Sequence, residues 1–529
     1  MSLLNTHTPI LCATLALAAT LYYARAQRWK LPLPPGPRKL PLVGNSFDLP
    51  VTSPWEVYTR WSKQYGSDIL HLDLAGTSVI ILSSLEATDA LLERRSAIYS
   101  DRQVLGMELY YWDVHSFRGD FPMVVDLMGW DFNIALMKYG EDWRTTRRLF
   151  NHAFNVTASQ QYRPQLQKAA RLLLERLLDS PEEFLPHFRQ MSGEIIMSVT
   201  YGIDVLPTED PYITAAEEAM HSLAVAAVPG QYLVDVFPIL KHVPRWLPGA
   251  GFKRLAEGWR KLARATMDLP FAETKRQMES GVAPRSFTAD GLSALKNSDI
   301  YYKEHHLRAT AATMFAAASD TTASALGSFA LAMLANPEAQ RRAQAEIDSV
   351  TGGKYLPTLD DQSSMPYLAA LIKEVLRWEN VTPIALPHRL TRDDEYRGYR
   401  LPAGSLVIGN AWAILHDETT YPDPFTFKPE RFLLDDAARD PDTAFGFGRR
   451  RCPGRHMAAL SLWITIASIL ATFNIEKAVD DAGHIIEPRH EYVSGLVSTP
   501  LPFQCTIIPR SEGAVALIRA AMNTDPLSE

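Results

Sequence analysis

One stretch of this chain has the make-up of a metal-ligating loop: Phe445-Gly446-Phe447-Gly448-Arg449-Arg450-Arg451-Cys452-Pro453-Gly454. Its upstream glycines let the backbone turn tightly and come close to a flat ligand. Pro453 is favoured in the first turn of a helix, which places Cys452 at a helix N-terminus. There the free N–H groups and partial positive charge favour the thiolate, the form that binds a metal. The competing reading is an inert buried cysteine, which most single cysteines are. An apolar site of that kind needs neither three consecutive arginines nor flanking glycines. A second chemical signal is Asp320-Thr321-Thr322, in the middle of the longest helical pattern, Thr310 to Leu334. Such a triplet is costly inside a helix unless it has a partner or a task, and the competing reading is a core helix with Asp320 capped by a neighbour. Trp143 and Arg147 lie four apart on one helical face, where an indole N–H and a guanidinium can together hold a carboxylate. An exposed arginine beside a core tryptophan is the alternative. Glu374 and Arg377 form an acid–base pair at i and i+3, a spacing more often found solvated than functional.

The pattern Phe-x-x-Gly-x-Arg-x-Cys-x-Gly fits Phe445, Gly448, Arg450, Cys452 and Gly454 without a gap. On this motif the chain resembles the cytochrome P-450 superfamily, the haem-thiolate monooxygenases, and the resemblance covers essentially the whole chain. It implies a mainly α fold with small β-sheets, one large haem-thiolate domain. Cys452 then corresponds to the axial ligand of haem b, through which a thiolate favours O–O cleavage. Phe445, Arg450 and Gly454 fall at cofactor-binding positions, with Arg450 turned inward to a haem propionate. Trp143 and Arg147, together with His388 in Pro387-His388-Arg389, match residues that bond propionates. Asp320 and Thr321 match an acid–alcohol pair that guides protons during dioxygen reduction. Ala318 stands where the family has glycine, which puts the width of the oxygen groove and the coupling efficiency in question. With Arg431 of Pro429-Glu430-Arg431-Phe432, Glu374 and Arg377 match a buried triad that stabilises the fold and does no chemistry.

The same resemblance implies insertion of one oxygen atom from O2 into a C–H bond or double bond of an apolar small molecule. No complete Gly-x-Gly-x-x-Gly fingerprint accompanies a free stretch of chain, so electrons are expected from NADPH through a separate membrane-bound NADPH–cytochrome P-450 reductase. Arg449, Arg451 and Arg455 are candidates for its docking face. Leu127-Met128-Gly129-Trp130 and Pro502-Phe503-Gln504-Cys505 look like fungal enzymes of secondary metabolism, similar to the O-methylsterigmatocystin oxidoreductase-like group and basidiomycete tryptamine hydroxylases. That points to a terpenoid, polyketide or indole scaffold. Two other readings stay open: a haem-thiolate isomerase or peroxygenase that needs no reductase, and a haem sensor without enzymatic activity.

Several elements must position these residues. Ile69 to Leu74 and Ser78 to Leu82 read as a hairpin turning at Gly76, and Ser83 with Glu86 as a capping box for a helix through Glu93. From Asp101 to Gly140 periodicity disappears and aromatic residues and methionine take over, a length of loop that is unusual without a function. In the family this region covers the distal side of the haem and contacts substrate. Within it 104–121 is longer than expected, either a specificity insertion or an unspliced remnant. Val199 to about Arg276 is helical in pattern, interrupted at Pro229-Gly230 and Pro248-Gly249, and corresponds to the family's lid helices. Asn336-Pro337 reads as a cap and first helical residue. Met457 to Phe473 reads as a helix buried behind the haem, and Ser494 to Ser498 as a tight turn that contacts substrate in the family.

The 529 residues carry no long linker, charge block or internal repeat, so the expected organisation is an anchor over 1–30, a proline-rich hinge over 31–45, the catalytic domain over 46–510 and a peripheral tail over 511–529. A hydrophobic content of 47% supports a large core, and a net charge of −7 gives no reason to propose nucleic acid as a partner. Cys12, Cys452 and Cys505 are too few and scattered for a disulfide framework. Residues 9–24 lack charge and are followed by Arg25, Arg28 and Lys30. As a helix this run is about 24 Å long, against a bilayer core of roughly 30 Å. A cleaved signal peptide competes at Ala24-Arg25-Ala26, but cations lie only after the run, which favours a single-pass anchor in the endoplasmic reticulum with a cytosolic domain. The sequons at Asn155 and Asn380 are then expected to be unoccupied.

Overall fold

The computed structural model describes residues 31–50, 52–102, 122–206, 210–226, 232–236, 238–296, 300–433 and 438–523. The expected anchor over 1–30, the segment 104–121 and the Pro229-Gly230 interruption lie outside them. The longer helices, numbered in chain order, are α1 Pro54–Tyr65, α2 Glu141–Phe154, α3 Arg163–Asp179, α4 Phe184–Tyr201, α5 Pro211–Ala226, α6 Gly251–Glu279, α7 Glu304–Ala335, α8 Pro337–Thr351, α9 Pro366–Trp378, α10 Arg455–Thr472 and α11 Glu512–Met522. The strands are β1 Ile69–Leu74, β2 Thr77–Leu82, β3 His388–Arg389, β4 Asp394–Tyr396, β5 Tyr399–Leu401, β6 Leu406–Gly409, β7 Phe473–Lys477 and β8 Cys505–Pro509. The fold is mainly helical with small sheets, as expected.

Helix α7 is the axle of the molecule and packs against α2, α4, α6, α9 and α10. Small side chains make this possible, because Ala311, Ala312, Ala325, Gly327 and Ala330 let neighbouring backbones come close while staying buried. Helix α10 is apolar on all sides for the same reason, and Trp463, Ile466, Ala467 and Leu470 are each at most 1% exposed. It is the one described helix long and apolar enough to cross a membrane, and its burial identifies it as core.

β1 and β2 pair antiparallel from Ile69 opposite Leu82 to Leu74 opposite Thr77. Ala75 and Gly76, at φ 48° and 92°, form the tight turn. β2 runs parallel to β6, and β6 antiparallel to β3, giving the order β1-β2-β6-β3 and seating His388 beside Val407.

Four local expectations need correction. The helix cap is Ser84, whose extended backbone lets Oγ accept the Ala87 N–H at 3.1 Å, whereas the Ser83 hydroxyl has no partner. The helix it starts widens after Thr88 into a π-helical turn, Asp89–Arg94. Asn336 stands at the cap position of α8 with Pro337 first in the helix, as expected, but its side chain makes no capping bond; the amide donates instead to the Ala332 carbonyl at 3.0 Å and closes the end of α7. The tail is not wholly peripheral, because α11 docks on α3 with Ile518 1% exposed.

Candidate functional site

The loop before α10 is held by its glycines. Gly448 has φ 56°, and a Cβ there would stand 2.1 Å from the Leu92 carbonyl oxygen, so the π-helical turn and the loop fit together only through glycine. The Gly448 N–H donates to Glu93 Oε1 at 2.7 Å, and the Cys452 N–H to the Phe445 carbonyl at 2.7 Å. Pro453 precedes the helix rather than opening it, since α10 begins at Arg455 with Gly454 as its cap. Cys452 is half-buried, and the desolvation of its sulfur pushes the thiol pKa up. The Gly454 and Arg455 N–H groups and the Arg147 and Arg455 guanidinium groups act the other way. The chain alone therefore keeps a thiol, contrary to the helix-terminus argument, because desolvation outweighs those donors. A coordinated metal reverses this balance by deprotonating the thiol outright.

Near this sulfur is a group of cations, from Arg147 beside it through Arg450 to Arg102. The half-buried side chain of Arg147, on α2, makes no hydrogen bond among the described residues; desolvation lowers its pKa to about 10, opposed by the Cys452 sulfur. Trp143, one turn earlier, is 5% exposed and carries the Arg450 guanidinium 4.5 Å from its ring centroid. Arg450 points inward as expected, but three backbone carbonyls take it: Ser100 at 2.8 Å, Ile134 at 3.0 Å and Met137 at 2.8 Å. Burial pushes its pKa down to about 8, with Arg102 and Arg147 adding to the effect and Asp101 opposing it. His388 is 1% exposed and donates from Nδ1 to the Tyr99 carbonyl at 2.7 Å. Burial and the nearby Arg102 and Arg450 keep its ring neutral, so Nε2 is presented as an acceptor.

Sequence reasoning missed Arg102. It is 7% exposed, donates to the carbonyls of Ala135, Leu386 and Pro387 at 2.9, 2.7 and 2.6 Å, and has its pKa pushed down to about 10. The only available signal was a charged pair, Asp101-Arg102, at the edge of an aromatic stretch. Among the described residues Arg102 and Arg450 thus answer to one carboxylate, Asp101, and Arg147 to none, so the group has positive charge to spare for an anion. A half-buried thiol near this surplus of partly desolvated cations fits a metal-bearing, dicarboxylate ligand such as haem b.

Helix α7 changes character at its middle. Ala317 is exposed and Ala318, Asp320, Thr321 and Thr322 are half-buried, between stretches that are almost fully buried. This interval is left uncovered in the middle of an otherwise buried helix. Thr321 Oγ1 donates to the Ala317 carbonyl at 2.9 Å. Asp320 Oδ1 lies 3.4 Å from Arg189 Nε on α4. The helix is α-helical from Glu304 to Ala335, so Ala318 sits in a regular turn. Beside it, Met123, Met128, Trp130 and Phe132 pack with Ala309, Ala312 and Ala316 of α7 and Leu223 of α5 into an apolar cluster.

Glu374, Arg377 and Arg431 come together in the core. Arg377 donates to Glu374 at 2.7 and 2.9 Å, and Arg431 Nε at 3.1 Å to both carboxylate oxygens. Lys428 N–H adds a bond at 2.8 Å, and the carbonyls of Leu415, Pro422 and Thr426 take the remaining guanidinium donors. Another group of potential ligands, Asp142, His305 and His306, is not a metal site. His306 Nδ1 accepts the Lys303 N–H, so its own proton sits on Nε2 and is donated to Asp142 at 3.1 Å.

The family model described as Cytochrome P450 matches residues 34–507. The chain is 43% identical to cytochrome P450 monooxygenase 98 of Postia placenta over 99% of each chain. It is 41% identical to the tryptamine 4-monooxygenase of Psilocybe cyanescens, covering 95% of this chain and 98% of that one. It is 42% identical to cytochrome P450 monooxygenase ple1 of Rhodocybe pseudopiperita, covering 97% and 96%.

Proposed function

The chain belongs to the cytochrome P450 family and is an oxidoreductase of the monooxygenase type, and from that premise we propose that it oxygenates an apolar natural-product scaffold, a terpenoid, polyketide or indole. The observation that carries the reading is the Cys452 sulfur beside Arg147, with Arg450 and Arg102 beyond it and fewer acids than cations among the described residues. Bound haem b supplies the redox chemistry: with O2, two electrons and two protons, one oxygen atom goes to substrate and the other to water. Electrons come from NADPH through a separate reductase.

Every other task falls to the chain. Cys452 would hold the iron through its sulfur, with Phe445 and Gly454 shaping the loop around it. Trp143 and Arg147 would hold a carboxylate of the cofactor, Arg450 and Arg102 brace that region through backbone carbonyls, and His388 would order its edge. The Met123–Phe132 segment and the alanine face of α7 exclude water and favour apolar substrates. Asp320 and Thr321 move protons towards the reacting oxygen, with Thr321 turned by its bond to Ala317. Arg449 is exposed, and Arg451 pairs with Glu93 at 2.7 Å, so the cysteine side presents cations for reductase docking. The apolar run over 9–24, with cations only after it, supports an anchor in the endoplasmic reticulum membrane and a cytosolic catalytic domain.

The test is the reduced, CO-bound absorption spectrum of the purified protein together with NADPH-dependent oxygen uptake in the presence of reductase. The thiolate-shifted band and reductase-dependent uptake are expected; Cys452→Ala should remove both. A Cys452→Ala protein that keeps the pigment and turns over normally would overturn the reading. Comparing metabolites of the source organism with and without the gene identifies the scaffold.

A further inference from the structure

After β7 the chain returns to α7 through a short hairpin. Tyr492 bridges Pro500, the Val493 N–H donates to the Thr499 carbonyl and the Leu501 N–H to the Glu491 carbonyl, each at 2.8 Å. Its second strand is bonded to α7, where Ser324 Oγ donates to the Ser498 carbonyl at 2.6 Å. Ser324 follows Thr321 by three residues and Asp320 by four, so all three share one helical face. A Cβ at Gly327 would stand 2.8 Å from Pro500 Cγ, so the base of the hairpin presses on the helix backbone. The first strand is held from the other side by His490. Its Nε2 donates to Glu379 Oε1 at 3.0 Å. Its ring stacks on Trp378 with centroids 4.7 Å apart, and Tyr492 meets it edge-on at 5.5 Å. Tyr492 in turn donates to Ser328 Oγ on α7 at 3.1 Å. The Ser498 N–H to the Val381 carbonyl and the Ser53 N–H to Ser494 Oγ, each at 2.8 Å, tie the hairpin to the end of α9 and the start of α1. The Glu379 side chain is 13% exposed and that of His490 47%. Burial pushes the Glu379 carboxyl up and the His490 contact opposes it, so removing His490 strips a desolvated acid of its donor.

We propose that His490 and Glu379 are positioning residues: the clasp they form outside the site fixes the 491–501 hairpin against α7 beside Asp320 and Thr321, and thereby sets how tightly the site holds a ligand large enough to reach that hairpin. This rests on the reading of the α7 interval around Thr321 as the place of reaction. Neither residue touches the ligand. A two-stranded ribbon is marginal by itself, and a ligand that packs on a loose one must also order it, at a cost in affinity. With the clasp closed the hairpin is ordered before the ligand arrives. A ligand too small to reach the hairpin is indifferent to the clasp, so the effect of the pair depends on ligand size.

The experiment uses the full-length haem-loaded protein, titrated with imidazole and with 4-phenylimidazole and followed by absorption, together with hydrogen–deuterium exchange over 491–501. His490→Ala should speed exchange in that segment several-fold and leave α3 and α10 at natural rates. It should weaken 4-phenylimidazole binding by roughly tenfold, the scale of one hydrogen bond to a charged group, and imidazole binding by less than about twofold. His490→Phe, which keeps the ring stack and loses the donor, should weaken 4-phenylimidazole by roughly threefold, and His490→Gln, which keeps a donor, should restore most of the difference between the two azoles. Ser324→Ala, which cuts the bond to α7 and spares the clasp, should lower the same ratio of affinities. If imidazole gives no spectral change with the natural protein, the reading of the site falls and the clasp with it. If both azoles bind and His490→Ala leaves the ratio of their affinities unchanged, the positioning role alone is overturned, whether or not exchange rises. Loss of both affinities with faster exchange throughout the chain makes His490 a general structural residue and overturns the role as well. Should His490→Ala fail to fold, His490→Phe and Ser324→Ala decide the matter by the same ratio.

Discussion

Arg377 and Arg431 share Glu374 at 2.7 to 3.1 Å and send their remaining donors to backbone carbonyls, whereas among the described residues Arg102 and Arg450 share only Asp101 and Arg147 faces only a cysteine sulfur. Both groups take guanidinium charge out of water, Arg377, Arg431 and Arg102 almost wholly and Arg147 and Arg450 in part. In the first the chain supplies the counter-charge itself, so the group is a finished part of the fold. In the second the charge is left over, which destabilises the protein until an anion arrives and makes binding of that anion favourable. Structural and functional arginines are thus separated by whether their neighbours complete the charge, and burial alone does not distinguish them.

The largest effect should come from Glu374→Gln, which strands two buried guanidinium groups and is expected to cost about 3–5 kcal/mol; denaturant unfolding with and without haem should show the same loss. An unchanged midpoint would erase the contrast between the two groups. Arg450→Lys comes next, since an ammonium cannot reach three carbonyls and the face of Trp143 together. A loss of about 2 kcal/mol is expected in either state, measured by thermal melts. Arg147→Leu sharpens the comparison most: the haem-free protein should be as stable as the natural one or more so, while haem affinity falls by roughly tenfold, as when a charged hydrogen bond is removed. Haem transfer to apomyoglobin measures that change.

The smallest effect concerns the mirror case, a half-buried acid answered among the described residues by a single backbone N–H. Asp235 accepts the Met123 N–H at 2.9 Å, and burial pushes its pKa up to about 6. The folded state therefore holds this proton between the ordinary carboxyl range and about pH 6, where the unfolded chain has released it. The stability it contributes is present at the acid end of that window and lost as pH rises through about 6. Asp235→Asn should remove this dependence and raise the unfolding midpoint slightly at pH 7, read by melts across pH 5 to 7.5.

Much of the site was legible because its parts are local in sequence. The Cys452 loop, the Trp143–Arg147 pair and the Glu374–Arg377 pair each lie within one element, so spacing alone puts the side chains on one face. The hairpin at Gly76 was equally readable from alternation and a turn residue. Arg102, Arg189 and His490 were not, since each gains its meaning from a partner far along the chain: Arg102 from Leu386 and Pro387, Arg189 from Asp320 and Glu217, His490 from Glu379. Caps were misplaced by a residue or two because several candidate residues stand side by side, and only the φ and ψ of the folded chain select one.

By itself the sequence determined which residues can ligate, pair and turn, because residue type and short-range spacing decide the chemistry available within a helix or loop. Tertiary structure alone decided which charges are answered. It joined Arg450 to three carbonyls, left the Arg147 side chain without a hydrogen bond among the described residues, kept Cys452 as a thiol and hung Arg189 between two acids. Such outcomes depend on desolvation and on contacts between distant segments, and those exist only once the chain has packed.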